Sequence, residues 1–179
     1  MKGPFKKMKN TLLQNINEFD RNIFLTVNQS QSAKLNKLIL WITHLGGLYF
    51  QSFLPLILLL FPLTRQLGIR LAVVQILTTM IVQIIKTVVA RVRPYNALTG
   101  VKPFKPEKDY SFPSGHTASS FATAVVLSAT FAMSSALWFG LATCIGFSRI
   151  YVGVHYPTDV IAGSVIGLSL SAVFLFTLF

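Results

Sequence analysis

The chain has 179 residues, of which 53% are hydrophobic and 12% charged, and its mean hydropathy of +0.60 excludes an ordinary soluble domain in favour of a membrane protein. The formal charge of +11 would suit a nucleic-acid binder, but the basic residues gather at the N-terminus and in residues 91–108, with no soluble nucleic-acid-binding fold to carry them. An anionic lipid surface is the expected partner, and the lone Cys144, set in an apolar run, excludes an intrachain disulfide and is assigned to packing.

Lys2, Lys6, Lys7 and Lys9 open the chain. Apolar residues at Met8, Leu12, Ile16, Phe19, Ile23 and Val27 follow in steps of three and four, which predicts an amphipathic helix. Glu18, Asp20 and Arg21 rule it out as a signal-peptide core or a span. It is expected to lie in the membrane interface, or to pack on the protein itself, and to be structural in either case.

Uncharged runs then occupy residues 38–64, 71–85, 117–148 and 160–179. A helix crossing hydrocarbon about 30 Å thick needs roughly 20 apolar residues. The third run is too long for one span and suits two short ones, turning near Met133, Ser134 and Ser135. The prediction is an all-α, polytopic membrane helical bundle of about five spans, 46–64, 71–90, 116–132, 136–153 and 158–179. These form one embedded domain, 46–179, behind an interfacial segment, 1–45, with no internal repeat or long linker.

This connectivity has a chemical consequence. The second span ends in KTVVARVRP, where Pro94 is expected to stop the helix, and a polar loop runs over 95–110. The next helix opens at Ser114 and Gly115. The fourth span ends in SRIYVGVHYPTD, which places Pro157 in the first turn of the fifth and Asp159 at its positive end. With five spans these four helix ends share one membrane face, which collects Lys86, Arg93, Ser114, Gly115, His116, Arg149, His155 and Asp159.

Ionisable residues in or beside spans are costly and mark a functional site by default. Lys86, Arg93 and Arg149, with the helix start at 114–116, make a receptor for a phosphate dianion through charge-assisted hydrogen bonds and oriented N–H groups. His155 lies four residues before Asp159, so the carboxylate can hold one ring nitrogen and leave the other free to attack phosphorus. His116, at the opposite helix start, is placed to protonate the leaving oxygen and later to activate water. The scheme needs no metal and no cofactor, and the set lacks the clustered carboxylates of a magnesium or two-metal phosphatase.

The pattern resembles the type 2 phosphatidic acid phosphatase superfamily, which also includes the vanadium haloperoxidases. Its three-part signature reads here as Lys86 through Arg93–Pro94, then Pro113–Ser114–Gly115–His116, then Ser148–Arg149 through His155 to Asp159, in order and at the family's spacing. The resemblance implies a phosphohistidine on His155, orientation of that ring by Asp159 and leaving-group protonation by His116. It also implies that Lys86, Arg93, Ser114, Gly115 and Arg149 hold the phosphate, without metal. Many bacterial members have six spans; here the first is replaced by the N-terminal amphipathic helix.

Simpler readings compete at each position. Snorkelling alone explains a basic residue at a helix end, but Lys86 and Arg93 lie seven residues apart, on one helical face beside the other motifs. Ser114 and Gly115 also read as a helix cap, which uses the same atoms as a phosphate cradle. Lys102, Lys105 and Lys108 read as a solvated loop, with a headgroup-selecting lid as the alternative. His44, outside every motif, reads as structural. Gly163 and Gly167 have helix-packing spacing, within the monomer before any homo-oligomer.

The expected substrate is a membrane lipid phosphate such as undecaprenyl diphosphate, phosphatidylglycerol phosphate, phosphatidic acid or lipid A phosphate. The positive-inside rule, taken alone, puts the basic face in the cytoplasm. Bacterial relatives place the site outside, and the resemblance therefore sets the expectation: a bacterial inner-membrane protein with a periplasmic active site. The alternatives are a vanadate-dependent haloperoxidase, which membrane embedding and the missing soluble domain oppose, and a non-catalytic lipid-binding or transport protein, which the histidine pair opposes.

Overall fold

The structure is a computed structural model that describes residues 4–101 and 103–178, with side chains described from residue 11 to 177. Lys2 and Lys102, and the side chains of Lys6, Lys7, Met8 and Lys9, lie outside the described residues. Among those described, all regular structure is helical. The elements are α1 (Pro4–Gln29), α2 (Ala33–Leu45), α3 (Leu48–Leu60), α4 (Arg65–Val89), a one-turn α5 (Pro94–Ala97), α6 (Gly115–Thr130), α7 (Ser135–Tyr151) and α8 (Pro157–Leu178).

Helix α1 exposes Leu12, Ile16, Phe19 and Ile23, four positions of its apolar stripe. It docks instead through Asp20 and Phe24, one turn apart and both buried. The Phe24 ring meets Tyr156 with centroids 5.7 Å apart. Helix α2 opens with the Ser32 hydroxyl accepting from the Leu35 N–H and closes at Gly46, where the chain bends by 50° into α3.

Helix α4 ends before Pro94, not at it: Ala90 takes a left-handed backbone, φ 48°, and its N–H bonds the Lys86 carbonyl. Pro94, with φ already preset and no N–H to satisfy, opens α5 instead. A 3₁₀ turn at Ala132–Ser134 separates α6 from α7, where the sequence places its turn. Gly153, at φ 85°, adopts the left-handed conformation that side chains resist and turns the chain into His155.

Helix α6 stands at the centre, against α4, α7 and α8. Its contact with α8 is backbone-close: a Cβ on Gly163 would lie 2.6 Å from the Ser114 carbonyl oxygen, and one on Gly167 2.3 Å from that of Ala118. The glycine pair thus serves packing within the chain. Leu67, Leu71, Val74, Ala122, Val126 and Phe174 form the apolar core between α4, α6 and α8.

Helices α4 and α8 are long and apolar enough to cross a membrane, and the bent α2–α3 pair makes a third if counted as one span. Helices α6 and α7, of 16 and 17 residues, are shorter than roughly the 20 residues of an upright span. Cys144 is exposed on the outside of α7 and not packed in the core as expected, because the small residues on α7's inner side take the contact with α6.

Candidate active site

Helix ends bring all eight motif residues to one place. Lys86 comes from the last turn of α4, Arg93 from the extended residue before α5, Ser114, Gly115 and His116 from the start of α6, Arg149 from the last turn of α7, His155 from the following turn, and Asp159 from the first turn of α8. Except for Gly115 and His116, which are partly open, they are buried. A cavity of about 720 Å³ reaches four of them, Lys86, Gly115, His116 and His155, and Glu107 lines it as well.

The α6 start presents N–H groups that can take an anion. Ser114 caps it, its hydroxyl accepting from the Thr117 N–H and hydroxyl. The Ser114 N–H bonds the Asp159 carbonyl, which ties the α6 start to the α8 start at 3.0 Å. The N–H groups of Gly115 and His116 belong to a first turn that no intrahelical carbonyl can satisfy.

His155 is 1% exposed. Its Nδ1 stands 3.5 Å from Asp159 Oδ2, an ion-pair distance too long for a good hydrogen bond, and has no closer partner. Its Nε2 faces Arg93 Nη1 at 3.4 Å. An arginine donates only, so Nε2 is the unprotonated nitrogen and Nδ1 carries the hydrogen toward Asp159. Burial, aided by Arg93 and Arg149 against Asp159, pushes the His155 ring down to about 4, so at neutral pH it is neutral, with its Nε2 lone pair turned toward Arg93.

The cations meet two carboxylates that the motifs do not contain. Glu107 bridges Arg93, 2.6 Å away, and Arg149, while Asp109 bridges Lys86, at 2.5 Å, and Arg93. Glu107 Oε2 comes within 4.0 Å of His155 Nε2. Burial alone would raise the Glu107 carboxyl, but Arg149, His155, Arg93 and His116 together hold it down to about 2. Asp109 is likewise held below the usual carboxylate range by Lys86 and Arg93, against its burial. Arg149 also donates to Thr43 at 2.7 Å, while its buried Nε has no partner among the described residues.

The loop carrying these carboxylates is anchored over the site. Tyr95 donates to the Glu107 carbonyl at 2.8 Å and accepts from its N–H, and Phe104 stacks edge-on against Tyr151. Lys105 and Lys108 are exposed at the cavity rim.

Further residues missed by the motif reading are Asp20, Arg91 and Ser111. Arg91 donates to Asp159 and Asp20, at 2.6 Å each, and Ser111 donates to Asp159 at 2.5 Å. One signal in composition pointed to Asp20. The chain has five acidic residues, and four of these, Asp20, Glu107, Asp109 and Asp159, pair with the cations of this one face.

The chain is 34% identical over 160 residues to an undecaprenyl-diphosphatase of Sulfolobus acidocaldarius, covering 86% of this chain and 75% of that protein. It is 32% identical to phosphatidylglycerophosphatase B of Bacillus subtilis, covering 76% and 71%. Among solved structures it superposes on Aquifex aeolicus LpxE with a TM-score of 0.80 and 32% identity, over 88% of this chain and 94% of that one. A family model described as the PAP2 superfamily matches residues 67–178, the part that supplies all three motifs, and the chain therefore belongs to the PAP2 superfamily.

Proposed function

We propose that this PAP2 enzyme removes phosphate from a membrane lipid phosphate or diphosphate by way of a phosphohistidine on His155. The carrying observation is the seat in front of Nε2, where Arg93 and Arg149 converge on one carboxylate 4.0 Å from that nitrogen. A phosphoryl group has the charge and the bidentate geometry to take that place. Lys86 and the N–H groups at the α6 start complete the cradle.

Nε2 attacks phosphorus, the bond to the lipid oxygen breaks, and His116 supplies the proton that oxygen needs. The charge developing on the phosphoryl oxygens is met by the three cations and the helix start. Asp159 steadies the positive phosphoimidazole through Nδ1–H. His116 then takes a proton from water, the oxygen attacks phosphorus, and the P–N bond breaks to release phosphate.

The membrane setting follows the same reading. Five spans, with α6 and α7 short and the bent α2–α3 pair as one, place the four site-bearing helix ends on one face. Helix α1 lies in the interface, supported by its outward row of Leu12, Ile16, Phe19 and Ile23. The relatives' names favour undecaprenyl diphosphate or phosphatidylglycerol phosphate as substrate; the placement in a bacterial inner membrane with the site on the periplasmic side rests on the family resemblance alone. A reporter fused after residue 179 is expected in the cytoplasm; an external reporter would overturn that orientation.

The deciding experiment is phosphate release in detergent with EDTA present, from undecaprenyl diphosphate, phosphatidylglycerol phosphate, phosphatidic acid and lipid A phosphate, beside His155→Ala. Release that survives EDTA and falls by at least about 10³-fold in the variant is expected of a histidine nucleophile. Release that needs a metal ion, or persists in His155→Ala, refutes the mechanism.

A further inference from the structure

Asp20 is an odd residue to bury. It sits 1% exposed on α1, outside all three motifs, 138 residues before its partner Thr158. An isolated buried carboxylate is costly, and one kept in place is hydrogen-bonded on every side. Asp20 Oδ1 accepts the Thr158 N–H at 2.9 Å, capping the first turn of α8 from another helix. Its Oδ2 accepts the Thr158 hydroxyl and Arg91 Nη2.

Arg91 is the hinge of this contact. Its guanidinium forks between Asp20 and Asp159, takes Thr158 Oγ1 at 2.7 Å, and lies over the Tyr156 ring at 4.2 Å. Asp159 is thereby held at several points: Oδ1 by Arg91, Oδ2 by the Ser111 hydroxyl and the Tyr156 N–H, with Oδ2 also turned toward His155. The same N-terminal segment clasps the third motif again, through Asn28 and Gln31 on the Tyr151 carbonyl and Asn36 on its hydroxyl.

We propose that Asp20 and Arg91 are positioning residues for the reaction: Asp20, carried by the N-terminal helix, shares Arg91 with Asp159 and so sets the orientation and available charge of the carboxylate that supports His155. The inference rests on reading His155 as the nucleophile. Two carboxylates around one guanidinium leave an excess of one negative charge, and that excess faces the ring that turns positive when it is phosphorylated. Without the Asp20 charge, Arg91 leans on Asp159 alone, and Asp159 becomes a poorer partner for a positive imidazole. Phosphorylation then slows, and the ring takes up a proton only at lower pH.

The test uses the full chain in dodecyl maltoside micelles with phosphatidylglycerol phosphate and undecaprenyl diphosphate as probes, comparing wild type, Asp20→Asn, Arg91→Lys, the double variant and His155→Ala. Asp20→Asn keeps an acceptor for the Thr158 N–H. It is expected to lower kcat by about tenfold, the size seen when a metal-bound imidazole loses its outer partner, to leave KM within about twofold, and to move the acid limb of kcat/KM to lower pH. The titratable groups facing His155 from the other elements, Arg93, Arg149, Glu107 and His116, are unchanged in it.

Arg91→Lys retains a charge but loses the fork; it is expected to show the same kcat loss, and the double variant to be little worse than either single one. Should Asp20→Asn fail to fold, Arg91→Lys carries the test by the same readouts. A variant that melts earlier but keeps the wild-type kcat and acid limb makes Asp20 a structural cap only and overturns the inference. Activity in His155→Ala instead removes the underlying reading, and the inference with it.

Discussion

Glu107 Oε2 stands 4.0 Å from His155 Nε2, so a carboxylate of the loop occupies the space in which the reaction is expected to occur. It is held there by Arg93 and Arg149, the residues assigned to phosphate. Substrate phosphate and Glu107 cannot both have those guanidinium groups, because two anions at this separation repel in a poorly solvated site. Glu107→Gln is therefore expected to tighten product inhibition by inorganic phosphate by about tenfold, which corresponds to roughly 1.4 kcal/mol, and to lower KM in parallel. A weaker phosphate inhibition would mean that Glu107 aligns the two arginines and does not compete with substrate.

Both residues also make stability depend on pH. Glu107 is held at about 2 against an ordinary 4.5, so the unfolded chain protonates first and its contribution, complete above pH 4.5, is lost as the pH falls toward 2. His155 is held at about 4 against 6.5, so the unfolded chain again takes the proton first and stability declines as the pH falls from 6.5 to 4. The melting midpoint in detergent is expected to drop continuously from pH 7 to pH 3. Glu107→Gln should flatten the part below pH 4.5, and an unchanged slope there would count against the ion pairs described.

His116 is assigned the proton of the leaving oxygen, a task that a good leaving group does not need. With p-nitrophenyl phosphate, His116→Ala is expected to keep the initial burst of p-nitrophenolate while steady turnover falls by about 10²-fold, the size of a general acid–base contribution. Loss of the burst would place His116 in the attack step.

The α6–α8 contact predicts a stability effect. A methyl group on Gly167 would lie 2.3 Å from the Ala118 carbonyl oxygen, which is backbone and cannot swing aside. Gly167→Ala is expected to cost about 1–3 kcal/mol, read as a lower melting midpoint, while Gly140→Ala, with nothing within 4 Å of its new methyl, is expected to be neutral. Equal midpoints for the two variants would refute the close packing.

By itself the sequence determined the helical class and the turn near Met133, and it singled out Lys86, Arg93, Ser114, Gly115, His116, Arg149, His155 and Asp159 as candidates, because hydropathy and motif spacing are local properties of the chain. The span predicted to end at residue 90 does end there, at Val89, but the left-handed turn at Ala90 stops it and not Pro94, and that turn frees residues 90–93 to carry Arg91 and Arg93 into the site. Only the tertiary structure decided what balances the cations. The pairing of Asp20 with Arg91, 71 residues apart, and of Glu107 with Arg149, 42 apart, depends on which helix ends pack together. The apolar stripe of α1 predicted a helix, but it docks through Asp20 and Phe24, which that stripe does not single out. An ion pair across such separations has no period or spacing in sequence, since its geometry is set by how the helices pack and not by the residues beside it.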